Sequence, residues 1–107
     1  MKRMNQKESL HYIATRQDFK ASALEGWRGT ASKESARMSR GKLNVEEWRK
    51  LIDSAEIQDY VIFSYDTPIA WHTSNGWYIV SQKFSVITSK HQDCVRRAVA
   101  ESLVGAN

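Results

Sequence analysis

Two reactive side chains, those of His91 and Cys94, lie three positions apart near the C-terminus. On a helix this spacing places them on one face, where they would offer two ligands to a metal ion or a thiol beside a base. Two ligands do not complete a metal site, and neither His11 nor His72 adds a recognisable ligand spacing. We therefore expect no bound metal and no cofactor. A hydrolase or transferase that uses His91 or Cys94 is kept only as a third hypothesis.

The motifs that mark common enzyme sites do not occur in the sequence. It contains no glycine-rich phosphate loop, no HExxH pair of histidines and no GxSxG nucleophile elbow. The acidic side chains at Glu46, Glu47, Glu56 and Asp59 are typical of solvated helix ends. We therefore predict that the protein is not an enzyme.

A predicted strand-to-helix junction offers a binding site instead. Ser89 and Gln92 have the spacing of a capping box, so the sequence predicts a helix that begins at Ser89. Free backbone N–H groups, two hydroxyls and one lysine there would bind a phosphate or a carboxylate. The alternative, which the sequence favours, is that capping alone uses these donors. The candidate anion site consists of Thr88, Ser89, Lys90 and His91.

Positive charge is concentrated in residues 1–42, which hold ten basic and four acidic side chains, whereas the rest of the chain holds six and eight. Residues 28–42 are small, polar and basic, and they predict a long loop. An aromatic residue next to an arginine is typical of binding hot spots. The alternative is a solvated arm without a partner. The candidate partner surface consists of Trp27, Arg28, Lys33, Arg37, Arg40 and Lys42.

The β-forming residues are concentrated after residue 58. Residues 60–72 combine aromatic and β-branched side chains, and Asn75-Gly76 predicts a type I′ hairpin, with Ser74 opposite Trp77. A further strand is predicted over residues 83–87. Pro68 interrupts the first region, and we favour one bent strand over a hairpin there because the break lacks a glycine.

Helices are predicted over residues 5–17, over 44–54 and from Ser89 to Gly105. Asn44 is placed to cap the second helix. Together these elements predict an α+β fold, in which a small antiparallel sheet of three to four strands packs with two to three helices. Residues 1–107 are expected to form a single domain, with a basic N-terminal segment over 1–42 and a compact core over 43–107.

Composition indicates the compartment. No apolar run approaches the roughly 20 residues that span a bilayer, and the first residues lack the apolar block of a signal peptide. The single cysteine fits a reducing environment. We therefore expect a cytoplasmic protein without a membrane partner.

Two segments carry a resemblance to a known family. Residues 64–71, SYDTPIAW, and residues 84–92, FSVITSKHQ, resemble a family of small proteins of unknown function that occurs mainly in bacteriophages and prophage-like regions. Its pattern is approximately SYxTxIA…YSVTTSKHQ, and Phe84 and Ile87 replace its usual Tyr and Thr. The resemblance implies a phage-type accessory protein in the cytoplasm of a bacterial host, without an assigned activity.

Small proteins in that setting often inhibit host or defence machinery, and anti-CRISPR proteins are an example. The leading hypothesis is therefore a non-enzymatic protein that binds and occludes a host protein or nucleoprotein complex through the basic surface. The alternative is a small basic protein that binds nucleic acid directly through the same surface.

Overall fold

The structure of the chain is a computed structural model that describes residues 6–28 and 41–105. In chain order the elements are α1 (Gln6–Ala14), β1 (Phe19–Ala21), β2 (Leu24–Arg28), α2 (Val45–Asp53), a 3₁₀ turn (Ala55–Ile57), β3 (Gln58–Ser64), β4 (Thr67–Thr73), β5 (Gly76–Ile79) and α3 (Val86–Gly105). The strands form one antiparallel sheet in the order β1-β2-β3-β4-β5. The α+β class is confirmed, but in the described part of the chain the sheet has five strands rather than three to four.

A tight turn at Tyr65 and Asp66 joins β3 to β4. Both residues have positive φ, 49° and 66°, as the central residues of a type I′ turn require. The prediction of one bent strand is therefore wrong, because a turn of this kind forms here without a glycine. Pro68 lies in β4 opposite Phe63, next to a shift in register. The irregular pairing accommodates the missing N–H group of the proline.

The hairpin between β4 and β5 is confirmed, but its register differs from the prediction. Thr73 pairs with Gly76, so the loop residues are Ser74 and Asn75. Neither loop residue has the positive φ of the predicted type I′ turn, whereas Gly76, which follows them, has a φ of 110°. The register is two residues away from the predicted one, and a shift of two leaves each side chain on its predicted face of the sheet.

Both faces of the sheet are covered, as the mixed side chains of the hairpin predict. One cluster of buried residues packs the sheet against α1 and α3, and it includes Ile13, Phe19, Leu24, Tyr60, Ile62, Ala70, Val95 and Ala98. The other packs the sheet against α2, and it includes Leu43, Leu51, Val61, Phe63, Trp71 and Val80. The core therefore extends beyond residues 43–107 into α1, β1 and β2.

The second helix begins as predicted. The side chain of Asn44 accepts a hydrogen bond from the Glu47 N–H at 2.9 Å and so caps α2. Its buried face is narrow, since the apolar residues Val45 and Ile52 are 50% and 37% exposed. Within the described ranges, no helix is long and apolar enough to cross a bilayer.

The predicted strand over residues 83–87 is wrong, because α3 already begins at Val86. The β-branched residues Val86 and Ile87 favour a strand, but both are largely exposed in the first turn of the helix. Without burial, their strand propensity decides little.

Candidate functional site

The two segments that carry the family resemblance meet in space at one end of the sheet. Ser64 ends β3, and its Oγ lies 2.7 Å from Nδ1 of His91 on α3. The same hydroxyl donates to Oγ1 of Thr88 at 3.2 Å. The ring of Tyr65 stacks on the His91 ring, with centroids 6.1 Å apart. The sequence proposed Thr88 and His91 as site residues, and the structure adds Ser64 and Tyr65 to them.

The start of α3 differs from the prediction by one turn. The hydroxyl of Ser85 accepts from the Thr88 N–H at 3.3 Å, and the Ser85 carbonyl accepts from the Ser89 N–H at 2.9 Å. The helix is therefore capped by Ser85, and the predicted capping box at Ser89 is wrong. The side chain of Gln92 instead donates to the carbonyls of Val80 and Gln82. These bonds fix the path of the chain between β5 and α3.

This change removes the basis of the predicted anion site at residues 88–91. The N–H group of Ser89 is already used within the helix, and Lys90 lies beyond the first turn. The N–H groups of Val86 and Ile87 now occupy the start of the helix.

A chain of hydrogen bonds fixes the His91 side chain. The Ser64 hydroxyl lies between Nδ1 of His91, at 2.7 Å, and Oγ1 of Thr88, at 3.2 Å, and so connects the two side chains. His91 is buried, and burial lowers its pKa because it disfavours the charged imidazolium. The neutral ring therefore orients the end of β3 against α3.

A small pocket opens beside this chain. Its volume is about 70 Å³, and it is lined by Lys42, Ser64, Tyr65, Thr67, Phe84, Ser85 and Thr88. The backbone N–H of Lys42 donates to Oγ1 of Thr67 at 2.9 Å, which holds the chain before α2 against the turn between β3 and β4. Among the residues that the structure describes, the lining includes one lysine and no acidic residue. The pocket is therefore rich in hydrogen-bond donors.

The surface around the pocket combines exposed apolar groups with lysines. Tyr65, Val86 and Ile87 are 56%, 74% and 51% exposed. Lys42 lines the pocket, and Lys90 is exposed one turn after Val86. These five residues are called the Tyr65 surface below.

The predicted partner surface is divided between the two ends of the sheet. Arg28 pairs with Tyr60, whereas Lys42 bonds to Thr67, which pairs with Ser64. Tyr60 and Ser64 are four positions apart on β3, so about 13 Å separates the two ends. Lys33, Arg37 and Arg40 lie outside the described residues.

Trp27 is half-buried rather than openly exposed. Its indole N–H donates to the Glu25 carboxylate at 3.2 Å, and its ring packs against the core under α2. Arg28 is exposed, and its backbone N–H donates to Asp18 at 2.7 Å. Part of the aromatic surface expected from Trp27 is thus used within the protein.

His91 and Cys94 contact different neighbours. The Cys94 thiol is buried and lies 3.8 Å from the Ser9 hydroxyl of α1, whereas His91 bonds to Ser64. Across the described ranges, no group of three or more His, Cys, Asp or Glu side chains is placed to hold a metal ion.

Sequence reasoning missed the roles of Ser64, Tyr65 and Thr67. They lie in the first of the two family-like segments, but nothing in their spacing indicates contact with a helix more than 20 residues away. The signal that connects them is the pairing of the two segments in one family pattern.

The fold and the site together define the class of protein. It is an α+β domain with an antiparallel sheet and a polar pocket at one end of that sheet. A family model described as a family of unknown function (DUF8033) matches residues 10–99. The chain belongs to this family, since the match runs from α1 into α3 and includes every strand. No curated protein and no solved structure matches the chain significantly.

Proposed function

We propose that the protein is a non-enzymatic accessory protein that binds and occludes a host protein or nucleoprotein complex through the Tyr65 surface. The observation that carries this proposal is the position of Tyr65. Its ring is more than half exposed, although its backbone has a φ of 49°. A bulky residue at positive φ is unfavourable, and such strain is concentrated at functional positions.

The surroundings of Tyr65 resemble the anatomy of a protein interface. Tyr65, Val86 and Ile87 supply apolar area, and Tyr is enriched among binding hot spots. Lys42 and Lys90 add positive charge near this area, which favours an acidic partner surface. The stacked His91 ring supports Tyr65 from below, so little side-chain freedom is lost on binding.

The polar groups beneath this surface favour binding over chemistry. Ser64, Thr88 and His91 bond to one another, and Gln92 bonds to backbone carbonyls. Each of these side chains therefore has a role in holding the surface rigid. The family resemblance implies a phage-type setting. In that setting, the proposed purpose of binding is to inhibit host or defence machinery, as anti-CRISPR proteins do.

In the same hypothesis, the partner also contacts the basic residues that the sequence predicts as a partner surface. Arg28 lies at one end of the sheet and Lys42 at the other. The sequence between them contributes the three further cations Lys33, Arg37 and Arg40. A partner that spans the sheet would contact both ends.

The second candidate function is direct binding of nucleic acid. The exposed Tyr65 ring favours it, because an aromatic ring is able to stack on a base while cations such as Lys42 and Lys90 contact phosphates. This function predicts that log affinity falls steeply and linearly with log salt concentration.

Capture from a bacterial host lysate, with and without nuclease, tests the proposal. Tyr65→Asn removes the ring, and Asn tolerates positive φ, so the turn is kept. Val45→Ser is the matched control, since Val45 is similarly exposed but lies on α2.

We expect a protein that is captured by the wild type and by Val45→Ser, that survives nuclease treatment and that is lost with Tyr65→Asn. Capture that is unchanged in Tyr65→Asn would contradict the proposed surface. Capture that disappears with nuclease would favour the nucleic-acid function instead.

A further inference from the structure

We infer that β5 pairs with β5 of a second copy of this chain, antiparallel and about a two-fold axis at Tyr78. The pairing joins two five-stranded sheets edge to edge. It uses neither Tyr65 nor the pocket, so it goes beyond the proposed function and does not depend on it.

The outer edge of β5 presents backbone groups that face no partner strand. The N–H of Val80, just after β5, donates to the Ile69 carbonyl at 2.9 Å. Hydrogen-bonded pairs alternate with non-bonded pairs along antiparallel strands, so two positions earlier Tyr78 also bonds to β4. The N–H and C=O groups of Trp77 and Ile79 therefore point away from β4. Because β5 ends the strand order among the described residues, no strand lies opposite these groups there.

The two edges of the sheet differ in how they are protected. Natural sheets protect an edge with short strands, charges, prolines or bulges. At the other edge, β1 has only three residues, and the central one is the exposed Lys20. The strand β5 carries no charge and no proline, and it pairs with β4 without a shift in register. An edge of this kind is a template for another strand.

The side chains of β5 retain apolar surface that a second strand would cover. All four of its residues are half-buried, whereas β4 is buried at every residue except His72. Trp77 and Ile79 pack on the core cluster under α1 and α3, and Tyr78 packs on the cluster under α2. Strand pairing therefore extends both core clusters across the edge.

A second copy of the chain fits this edge because β5 is complementary to itself. With Tyr78 opposite Tyr78 of the second copy, Trp77 of each copy lies opposite Ile79 of the other. Each of these two pairs exchanges two backbone hydrogen bonds, so the outward N–H and C=O groups of Trp77 and Ile79 are all satisfied. The two Tyr78 residues form a non-bonded pair with Cα atoms about 4.5 Å apart, where aromatic side chains contact each other.

Charge and symmetry also favour a closed dimer. The Tyr78 hydroxyl donates to Glu47 at 2.7 Å and accepts from Lys50 at 3.0 Å, so each copy brings one acid and one base towards the axis. Neither copy therefore places a net charge against the other there. A two-fold contact uses the same edge of both copies, and the edges that remain are those of β1 with Lys20. Pairing should therefore stop at two chains.

Sedimentation equilibrium of the full chain, from about 10 μM to about 1 mM, tests the pairing. We expect the mass to rise with concentration from 12.3 kDa to twice this value and no further. Amide hydrogen exchange over the same range locates the contact. Exchange at Trp77 and Ile79 should slow by roughly tenfold once about nine-tenths of the chains are paired, because only unpaired chains exchange these amides. Exchange at Tyr78, which bonds to β4, should be slow throughout.

Proline substitutions test each edge separately. Ile79→Pro removes one outward N–H and leaves the N–H groups that bond to β4 in place. Lys20→Pro is the matched control. Ala21 pairs with Leu24 at the two-residue loop between β1 and β2, so the N–H of Lys20 points outward in the same way. We expect Ile79→Pro to lose the dimer and Lys20→Pro to keep it, with slow exchange at Tyr78 in both variants.

Several results would overturn the inference. A mass of 12.3 kDa at every concentration would do so, and protection of Trp77 and Ile79 only by a captured host protein would assign the edge to a strand of that protein. A dimer in which these two amides still exchange quickly would place the contact elsewhere. A mass above two chains would exclude a closed pair, and an unchanged dimer in folded Ile79→Pro would exclude pairing through β5. If Ile79→Pro does not fold, exchange in the wild type still decides.

The variant Tyr65→Asn separates this pairing from the proposed function. Tyr65 lies in the turn between β3 and β4, at the opposite end of the sheet from the hairpin of β4 and β5, so this variant should dimerise as the wild type does. Loss of host capture in Tyr65→Asn, by a chain that never dimerises, would overturn the pairing alone. A dimer with capture unchanged in Tyr65→Asn would overturn the proposed function alone.

Discussion

The Ser64 hydroxyl lies 2.7 Å from Nδ1 of His91, and this hydrogen bond joins the end of β3 to the second turn of α3. Both side chains are buried, so neither has water as a ready replacement partner. The bond also positions the His91 ring on which Tyr65 stacks. One polar contact thus connects the core of the fold to its proposed binding surface.

Replacement of Ser64 by Ala should destabilise the protein by roughly 1–3 kcal/mol. The substitution leaves the buried Nδ1 of His91 without its hydrogen-bond partner, and an unsatisfied buried polar group costs about this much. Urea unfolding of the full chain measures the loss. Ser81→Ala is the control, because Ser81 is exposed, and its effect should stay within about 0.5 kcal/mol. Equal effects of the two substitutions would show that the hydrogen bond contributes no stability.

Stability should decrease as the pH falls below about 6.5, because burial lowers the pKa of His91 in the folded protein. In this pH range the unfolded chain binds a proton at His91 that the folded chain does not bind. The contribution of His91 is therefore fully present above its unfolded pKa and is lost as the pH falls through its folded pKa.

The variant His91→Asn isolates this effect. The Asn side-chain amide replaces the hydrogen-bonding group at Nδ1, but Asn does not titrate. We expect the free energy of unfolding to vary less between pH 8 and pH 5.5 in His91→Asn than in the wild type. His11→Asn, which removes an exposed histidine of α1, should keep the wild-type slope. A wild-type slope in His91→Asn would exclude His91 as its source.

Sequence reasoning succeeded where the signal is local. The cap of α2 depends on Asn44 and on the N–H three residues later, and both are visible in the sequence. The hairpin between β4 and β5 was located for the same reason. Its register was missed, because Asn75 does not adopt the positive φ that the residue pair Asn-Gly favours.

Features that depend on distant contacts were not predictable. The strand β1 has three residues, and β2 contains Gly26, so neither shows a clear alternation. A Cβ at Gly26 would meet Tyr60 and Phe19, so this glycine reflects close packing between strands. Likewise, Ser85 and Ser89 are both able to cap a helix, and the contacts of Thr88 and Gln92 decide between them.

Replacement of Tyr78 by Phe should destabilise the protein by roughly 1–3 kcal/mol. The Tyr78 hydroxyl donates to the Glu47 carboxylate at 2.7 Å, and Glu47 is only 5% exposed. Lys50 lies 3.2 Å from the same carboxylate and donates to the Tyr78 hydroxyl, so one partner of Glu47 remains in the variant. Stability is lost because the buried Glu47 carboxylate then has fewer hydrogen-bond donors.

Thermal or urea unfolding measures the effect of Tyr78→Phe, and Tyr12→Phe provides the control. Tyr12 is also half-buried, on α1 against the other core cluster. Its hydroxyl has no hydrogen-bond partner among the described residues. We expect its removal to change the free energy of unfolding by less than about 0.5 kcal/mol. A comparable loss in both variants would refute a specific role for the bond to Glu47.

Two glycines at positive φ should respond differently to substitution by alanine. Gly41 has a φ of 54°, and a Cβ there would lie 2.7 Å from Cα of Thr67 and 2.8 Å from the carbonyl oxygen of Asp66. Gly76 has a φ of 110°, but nothing lies within 4 Å of its Cβ position. Both variants carry backbone strain of about 1–3 kcal/mol, and only Gly41→Ala adds a clash with backbone atoms. Gly41→Ala should therefore lose more stability in urea unfolding. Equal losses of stability in the two variants would show that the contact between residue 41 and the turn of β3 and β4 adds no cost to the backbone strain.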